Sequence, residues 1–266
     1  MNRIDERFKK LESKDEKALI TYIMAGDPSL KVTEDLIYAV EEAGADIIEL
    51  GIPFSDPLAD GPVIQRASER ALASGTTVEK VFDMVQQVRK DSQLPIVIMT
   101  YYNIIFKYGE LRFLQDAEKC GVDGLIIPDL PPDEGEYITQ AAQKHNIDLT
   151  FLLSPTSSDK RISLISKKSR GFIYYVSLTG VTGIRTKLSE SIAPMINKIK
   201  TVTNKPVAVG FGISNTEQAG QVSTYADGVV IGSAIVKLIE ESSSAGERIT
   251  AVKKLVNDLK MGICRQ

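Results

Sequence analysis

Histidine and cysteine are scarce in this chain: one His and two Cys in 266 residues. The lone histidine, His145, lies in the polar helical stretch EYITQAAQKHN, which reads as a surface helix position rather than a metal ligand or general base. Two cysteines, Cys120 and Cys264, are too few for a zinc site or a disulfide framework. Charge of either sign is not in excess. The 32 basic and 35 acidic residues are interspersed to a net charge of −3, so no footprint for nucleic acid or an anionic membrane stands out, and a small-molecule ligand is expected. No run approaches the roughly 20 apolar residues of a membrane span. The opening MNRIDERFKKLESKDEK has no apolar core of a signal peptide, so a cytoplasmic protein is expected. A Walker loop and a Gly-x-Ser-x-Gly elbow are also missing.

What is present is core-forming material, with 43% apolar residues. The length suits one α/β barrel, which runs to about 250 residues as a single core, so residues 1–266 are read as one domain. Eight short apolar runs alternate with amphipathic segments: ALITYIM, DIIELG, PIVIMTY, GLIIP, DLTFLL, GFIYYVS, PVAVGFG and DGVVIG. Strands that are apolar throughout have both faces buried, as in a parallel sheet covered by helices. Between them, Val32, Leu36, Ala39, Val40 and Ala43 recur at helical spacing, closed by Gly44. This order predicts a (β/α)8 TIM barrel with an extra N-terminal helix from MNRIDERFKKLES, the alternative being an open Rossmann-like sheet. A faint repeat, GADIIEL, GVDGLIIPD and ADGVVIGS, places an Asp before the second, fourth and eighth runs. Barrel symmetry or a shared packing need would both produce it.

In a barrel the active site lies at the carboxyl ends of the strands. Glu49 in DIIEL is therefore the most informative residue, facing either the interior or the helix layer. Burial disfavours the ionised form, so its pKa is expected to be raised toward neutrality and fit for proton transfer. Asp60 follows a proline-marked loop and precedes Gly61-Pro62 and a helix beginning near Val63; a site carboxylate and a helix cap are both open for it. Tyr101, at the end of the third run, and Asp129, at the end of the fourth, are candidate substrate contacts. GFGIS and IGSA, after the last two strands, are each read as running into a helix N-terminus where a phosphate can sit. No Lys falls in the second half of a predicted strand, which disfavours a Schiff-base aldolase, and no metal-ligand spacing occurs. Metal-free carboxylate chemistry on a phosphorylated substrate remains.

In GADIIELGIPFSDPLADGPVIQ, YIMAGDP, GVDGLIIPDLPPDE, GVTG and VGFGIS the chain resembles the tryptophan synthase alpha subunit family over essentially its whole length. The resemblance implies a TIM-barrel lyase of tryptophan biosynthesis that splits indole-3-glycerol phosphate into indole and D-glyceraldehyde 3-phosphate by a retro-aldol step. It implies that Glu49 protonates the indole ring at C3 and accepts the glycerol hydroxyl proton, while Asp60 stabilises positive charge at the indole N–H. Tyr174 matches the active-site tyrosine. Tyr22 and Ile64 match the indole pocket, with Tyr22 standing where Phe is often found. Gly183, Gly210, Phe211, Gly212, Gly232 and Ser233 match the phosphate site. Thr182 matches a closing-loop threonine that pairs with Asp60, and Leu178 stands where many members carry Arg. The family also implies a beta-subunit partner in an α2β2 tetramer, with pyridoxal phosphate in that partner and no cofactor in this chain. Pro53, Phe54, Asp56, Pro57, Pro131 and Pro132, read as exposed, are the expected contact. The residues by themselves also admit another phosphosugar barrel, such as an isomerase or epimerase, or a non-catalytic activating subunit.

Overall fold

All seven residues of the first strand, Ala18–Met24 (β1), are buried, as are all of Ile47–Gly51 (β2). The computed structural model describes residues 2–176, 187–210 and 212–264. Beyond β1 and β2 the strands are Ile96–Met99 (β3), Gly124–Ile126 (β4), Asp148–Thr150 (β5), Leu152–Leu153 (β6), Ile173–Val176 (β7), Val207–Gly210 (β8) and Gly228–Ile231 (β9). All pairings are parallel, in the order β5-β4-β3-β2-β1-β9-β8-β7-β6. The fifth predicted run is thus one strand in two pieces. Its first piece pairs with β4 and its second with β7, which brings the ring round on itself and sets aside the open sheet. The interruption falls at Phe151, whose N–H turns to the Ser169 hydroxyl at 3.1 Å instead of to a strand.

The helices are Arg3–Glu12 (α1), Leu30–Glu42 (α2), Pro62–Ala73 (α3), Val78–Val88 (α4), Tyr102–Tyr108 (α5), Glu110–Cys120 (α6), Glu136–Lys144 (α7), Asp159–Lys168 (α8), Lys187–Lys200 (α9), Thr216–Ser223 (α10), Ser233–Glu241 (α11) and Ala245–Cys264 (α12). Ser29 starts α2 by accepting the Val32 N–H, and Gly44, at φ +99°, lets the chain turn back into β2. The break at SSSAGE falls between α11 and α12, as the sequence places it. No helix among the described residues is long and apolar enough to cross a membrane.

Two apolar layers hold the barrel. Outward-facing strand residues such as Leu19, Ile48, Ile98, Leu125 and Val229 pack under the helices. Inward-facing Ile20, Ile47, Val97, Ile126, Ala208 and Val230 fill the interior, and α1 adds Ile4, Phe8 and Leu11 to that same cluster. Those three α1 residues lie at i, i+4 and i+7, one face of a helix, and each such burial contributes about 1.5–3 kcal/mol. The extra helix therefore stoppers the amino-terminal mouth.

The faint repeat has a hydrogen-bonding cause. Asp46, Asp123 and Asp227 each stand just before a strand and accept the backbone N–H of the neighbouring strand, from Leu19, Ile96 and Val207 at 2.8–2.9 Å. Each carboxylate is then paired: Asp46 with Lys260 at 2.6 Å, Asp123 with Arg89 at 2.7 Å and Arg3 at 2.9 Å, Asp227 with Lys200 at 2.8 Å. These acids close strand starts at the face opposite the site, so their recurrence reports stability and not chemistry.

Candidate active site

Glu49 has Tyr22 of β1 and Val97 of β3 as its register partners. Ile47, two residues earlier on the same side, belongs to the interior cluster, so the Glu49 carboxyl points into the barrel and not toward the helices. It is 2% exposed, and its Oε2 has no hydrogen-bond partner. Burial raises its pKa to about 8, with the Asp60 charge adding to the rise and a hydrogen bond from Tyr174 opposing it.

Asp60 reaches the same pocket from the loop of residues 52–61, which is tied down at several points. The Ser68 hydroxyl accepts the Phe54 N–H at 2.7 Å and donates to the Phe54 carbonyl at 2.8 Å. The Ala59 N–H donates to the Tyr101 hydroxyl at 3.0 Å, and Gln65 Nε2 donates to the Asp60 carbonyl at 2.8 Å. The rings of Phe54 and Tyr101 lie 5.1 Å apart. Asp60 does not cap α3. That helix starts at Pro62 behind Gly61, with no side-chain cap. Burial lifts the Asp60 carboxyl to about 6 against a hydrogen bond from Tyr101.

A cavity of about 150 Å³ joins the two acids. Tyr22, Ile64, Met99, Tyr174 and Val230 supply its aromatic and apolar wall, while Gly212, Ser214, Gly232, Ser233 and Ala234 bring backbone and hydroxyl groups. Helix α11 opens at Ser233 with Gly232 as an N-cap that makes no side-chain bond. Its first N–H groups have no helix carbonyl to bond and, with the helix dipole, favour an anion. Among the described residues, neither lysine nor histidine lines the cavity.

The extra hydroxyl of Tyr22 is housed by a missing side chain. It lies 4.0 Å from Met24 Sδ, and a Cβ on Gly51 would come within 2.3 Å of it. Tyr174 is accommodated in the same way by Gly210, where a Cβ would meet its hydroxyl at 2.5 Å. Gly210 therefore makes room for the tyrosine and does not line the cavity.

Other expectations need correction. Tyr101 acts behind the cavity wall, on Ala59 and Asp60, and Asp129 is exposed and accepts the Tyr102 N–H at 2.9 Å at the start of α5. GFGIS leads from the end of β8 to the Asn215 cap of α10, as expected, but that helix end is already served by Asn215, which accepts the Gln218 N–H at 2.9 Å. Pro53 and Pro132 are buried and Phe54, Pro57 and Pro131 half-buried, leaving Asp56 exposed, because the loops fold back onto α3 and α8. The exposed apolar groups there are Leu58, at 94%, and Phe106, at 67%. His145 is the C-cap of α7, with Nδ1 2.7 Å from Glu118 Oε2. Thr182, Gly183 and Phe211 lie outside the described residues, as does Leu178. The cavity residues that sequence reading missed include Met99 and Val230. Both lie on inward faces, Met99 two residues beyond Val97 and Val230 two before Gly232, so an i, i+2 count from the inward set would have found them.

A profile of the family described as "Tryptophan synthase alpha chain" matches residues 8–263. The tryptophan synthase alpha chain of Geotalea uraniireducens (strain Rf4) is 52% identical over 241 residues, covering 91% of this chain and 90% of that one. That of Geobacter sp. (strain M21) is 47% identical over 265 residues, covering 100% and 99%. Among solved structures, tryptophan synthase subunit alpha from Legionella pneumophila str. Paris superposes with a TM-score of 0.92 at 40% identity, covering 99% of this chain and 98% of that one. The aminoacrylate-bound form of tryptophan synthase from M. tuberculosis gives 0.88 at 33% identity, covering 99% and 100%.

Proposed function

Because the chain belongs to the tryptophan synthase alpha chain family, lyases that cleave indole-3-glycerol phosphate in tryptophan biosynthesis, we propose that Glu49 and Asp60 divide that cleavage between them. Membership replaces the isomerase or epimerase alternative. The observation that carries the assignment is the Glu49 carboxyl, 2% exposed and with one oxygen unpartnered, in the wall of a cavity that also holds Asp60 and the uncapped start of α11.

Between about pH 6 and about pH 8 the two environments keep Glu49 protonated and Asp60 ionised. Glu49 gives its proton to C3 of the indole ring, which turns the ring into a cationic iminium, and the Asp60 carboxylate balances the positive charge at the ring N–H. The Glu49 carboxylate then takes the proton of the glycerol hydroxyl next to the ring. The carbonyl of glyceraldehyde 3-phosphate forms, the bond to C3 breaks, and its electron pair restores the aromatic indole. Glu49 ends as it began, protonated. The protonated ring accepts the electrons, a role that needs no lysine, in keeping with a lining that has none among the described residues. Tyr22, Ile64, Met99 and Tyr174 fit an indole ring, and the start of α11 with Gly212 and Ser214 fits the phosphate.

The family implies a beta-chain partner. We place pyridoxal phosphate in that chain, which takes up the released indole, and expect an α2β2 tetramer. Its docking face on this chain includes Asp56 together with the exposed Leu58 and Phe106, which share the strand carboxyl ends with the cavity. The test is Glu49→Gln with indole-3-glycerol phosphate. Indole release is lost by at least about 10³-fold while the substrate still binds, and a beta chain of the family accelerates only the unaltered protein. Near-normal indole release from Glu49→Gln refutes the assignment.

A further inference from the structure

Three of the pieces of chain that build the cavity wall are Tyr22 on β1, Gly61 and Ile64 at the start of α3, and Gly232 and Ser233 at the start of α11. Behind the wall these pieces share an apolar patch that includes Met24, Ala67, Ala71 and Val236. Apolar contact is non-directional and leaves two helices free to slide by fractions of an ångström. An ion network across the same three elements removes that freedom. Arg70 of α3 donates through Nε and Nη2 to both oxygens of Asp27, at 2.8 and 2.7 Å, and through Nη1 to Glu240 of α11 at 2.8 Å. Arg66, one turn earlier on α3, grips the same Glu240 with two bonds at 2.7 and 2.8 Å. Asp27 stands just after β1 and is 1% exposed. The forked guanidinium holds two carboxylates from different elements in a fixed geometry, which the rotatable ammonium of a lysine does not. Nothing in the proton transfers uses these groups.

We propose that Arg70, in the last turn of α3, and Glu240, in the last turn of α11, are positioning residues that lock the two helices together at the ends away from the cavity, and through the rigid α11 hold its start in place, thereby setting the affinity for the phosphate end of the substrate separately from the ring end. The inference rests on α11 as the phosphate anchor. Hydrogen bonding to Arg66, together with the Arg70 charge, holds the Glu240 carboxyl down at about 2, so Glu240 stays charged throughout the working range.

The test uses Glu240→Ala, which frees α11 and leaves the Asp27–Arg70 pair in place, and Arg70→Lys, which keeps a cation beside Asp27 but does not hold both acids in a fixed geometry. Inorganic phosphate and indole serve as separate probes of the two ends, beside steady-state cleavage of indole-3-glycerol phosphate. Glu240→Ala raises KM and the phosphate Kd by about three- to tenfold while kcat and the indole Kd stay within about twofold, and Arg70→Lys, which leaves the Arg66–Glu240 bonds in place, moves KM and the phosphate Kd the same way by less. Lys237→Ala, which breaks a pair confined to α11 with Glu241, changes none of these. Unchanged phosphate affinity in Glu240→Ala, or equal weakening of phosphate and indole, overturns the positioning role. Failure of the unaltered protein to bind phosphate at all overturns the anchor, and the positioning role with it.

Discussion

Glu49→Gln should make the protein more stable as well as inactive, and by an amount that grows with pH. In the folded chain the Glu49 carboxyl is raised from its ordinary 4.5 to about 8, first by burial. Below about pH 4.5 folded and unfolded chains both carry its proton; between there and about pH 8 only the folded chain does. The unfolded state then binds fewer protons, so stability falls as pH rises, by about 1.4 kcal/mol per pH unit. From about pH 5 to about pH 7.5 the loss accumulates to roughly 3 kcal/mol. Glutamine occupies nearly the same volume and does not titrate, so the variant escapes this loss, and Asp60 titrates in both proteins and largely cancels. At roughly 2–4 °C per kcal/mol for a chain of this size, the melting temperature of Glu49→Gln should gain about 6–12 °C on the unaltered protein across that interval. Paired calorimetric scans at several pH values measure it. A difference in Tm that stays flat from pH 5 to 7.5 means that Glu49 ionises normally in its site, and the acid role in proton transfer falls with it.

Three other outcomes follow from the same geometry. The pH profile of kcat/KM should be bell-shaped, rising through about 6 as Asp60 ionises and falling through about 8 as Glu49 loses its proton, the limbs belonging to the coupled pair; a profile flat over that range contradicts the assigned protonation states. Gly51→Ala should cost about 1–3 kcal/mol in denaturant unfolding, because the new Cβ meets the Tyr22 hydroxyl at 2.3 Å, and adding Tyr22→Phe should recover part of it; no recovery shows that the clash lies elsewhere. Tyr101→Phe deprives the Ala59 N–H of its acceptor and Asp60 of a donor, and should lower kcat/KM by about 10–100-fold with little change in Tm, read by steady-state kinetics; unaltered kinetics place Tyr101 outside the mechanism.

The strands were legible because both of their faces are buried, and a buried parallel strand has to be apolar from end to end. That same uniformity hid which way Glu49 points. Alternation carries direction, and DIIEL has none except the Glu itself. The ring closure was hidden for a different reason, since it turns on Phe151, where a hydroxyl 18 residues further on replaces a strand partner. Gly210 and Gly232 look alike in sequence, each a glycine at a strand end, yet one makes room for a tyrosine and the other leaves a helix end open. The difference depends on residues far away in the chain. Proline misled in the partner-facing loops: Pro53 and Pro132 have the punctuation of exposed turns but fold inward, and the exposed apolar side chains are Leu58 and Phe106. Asp60 could not be separated from a helix cap until Gly61 was seen to occupy that position.

Below Glu49 the barrel interior is filled by Ile20, Ile47, Val97 and Ala208, and its far mouth is stoppered by Ile4, Phe8 and Leu11 of the leading helix. Most of the described side chains below Glu49 are apolar, Thr150 and Asp148 being the polar exceptions on that face, so the cavity is the Glu49 proton's broad route to bulk water. Substrate held in the cavity as proposed above would cover its mouth. If Glu49 is the proton donor proposed above, the hydrogen that appears on C3 of the first indole released is the one the carboxyl held when the substrate arrived, and the hydrogen taken from the glycerol hydroxyl stays behind for the next turnover unless solvent reaches it first. The stopper at one end of the barrel would then make the pocket a carrier of isotopic memory from one substrate molecule to the next.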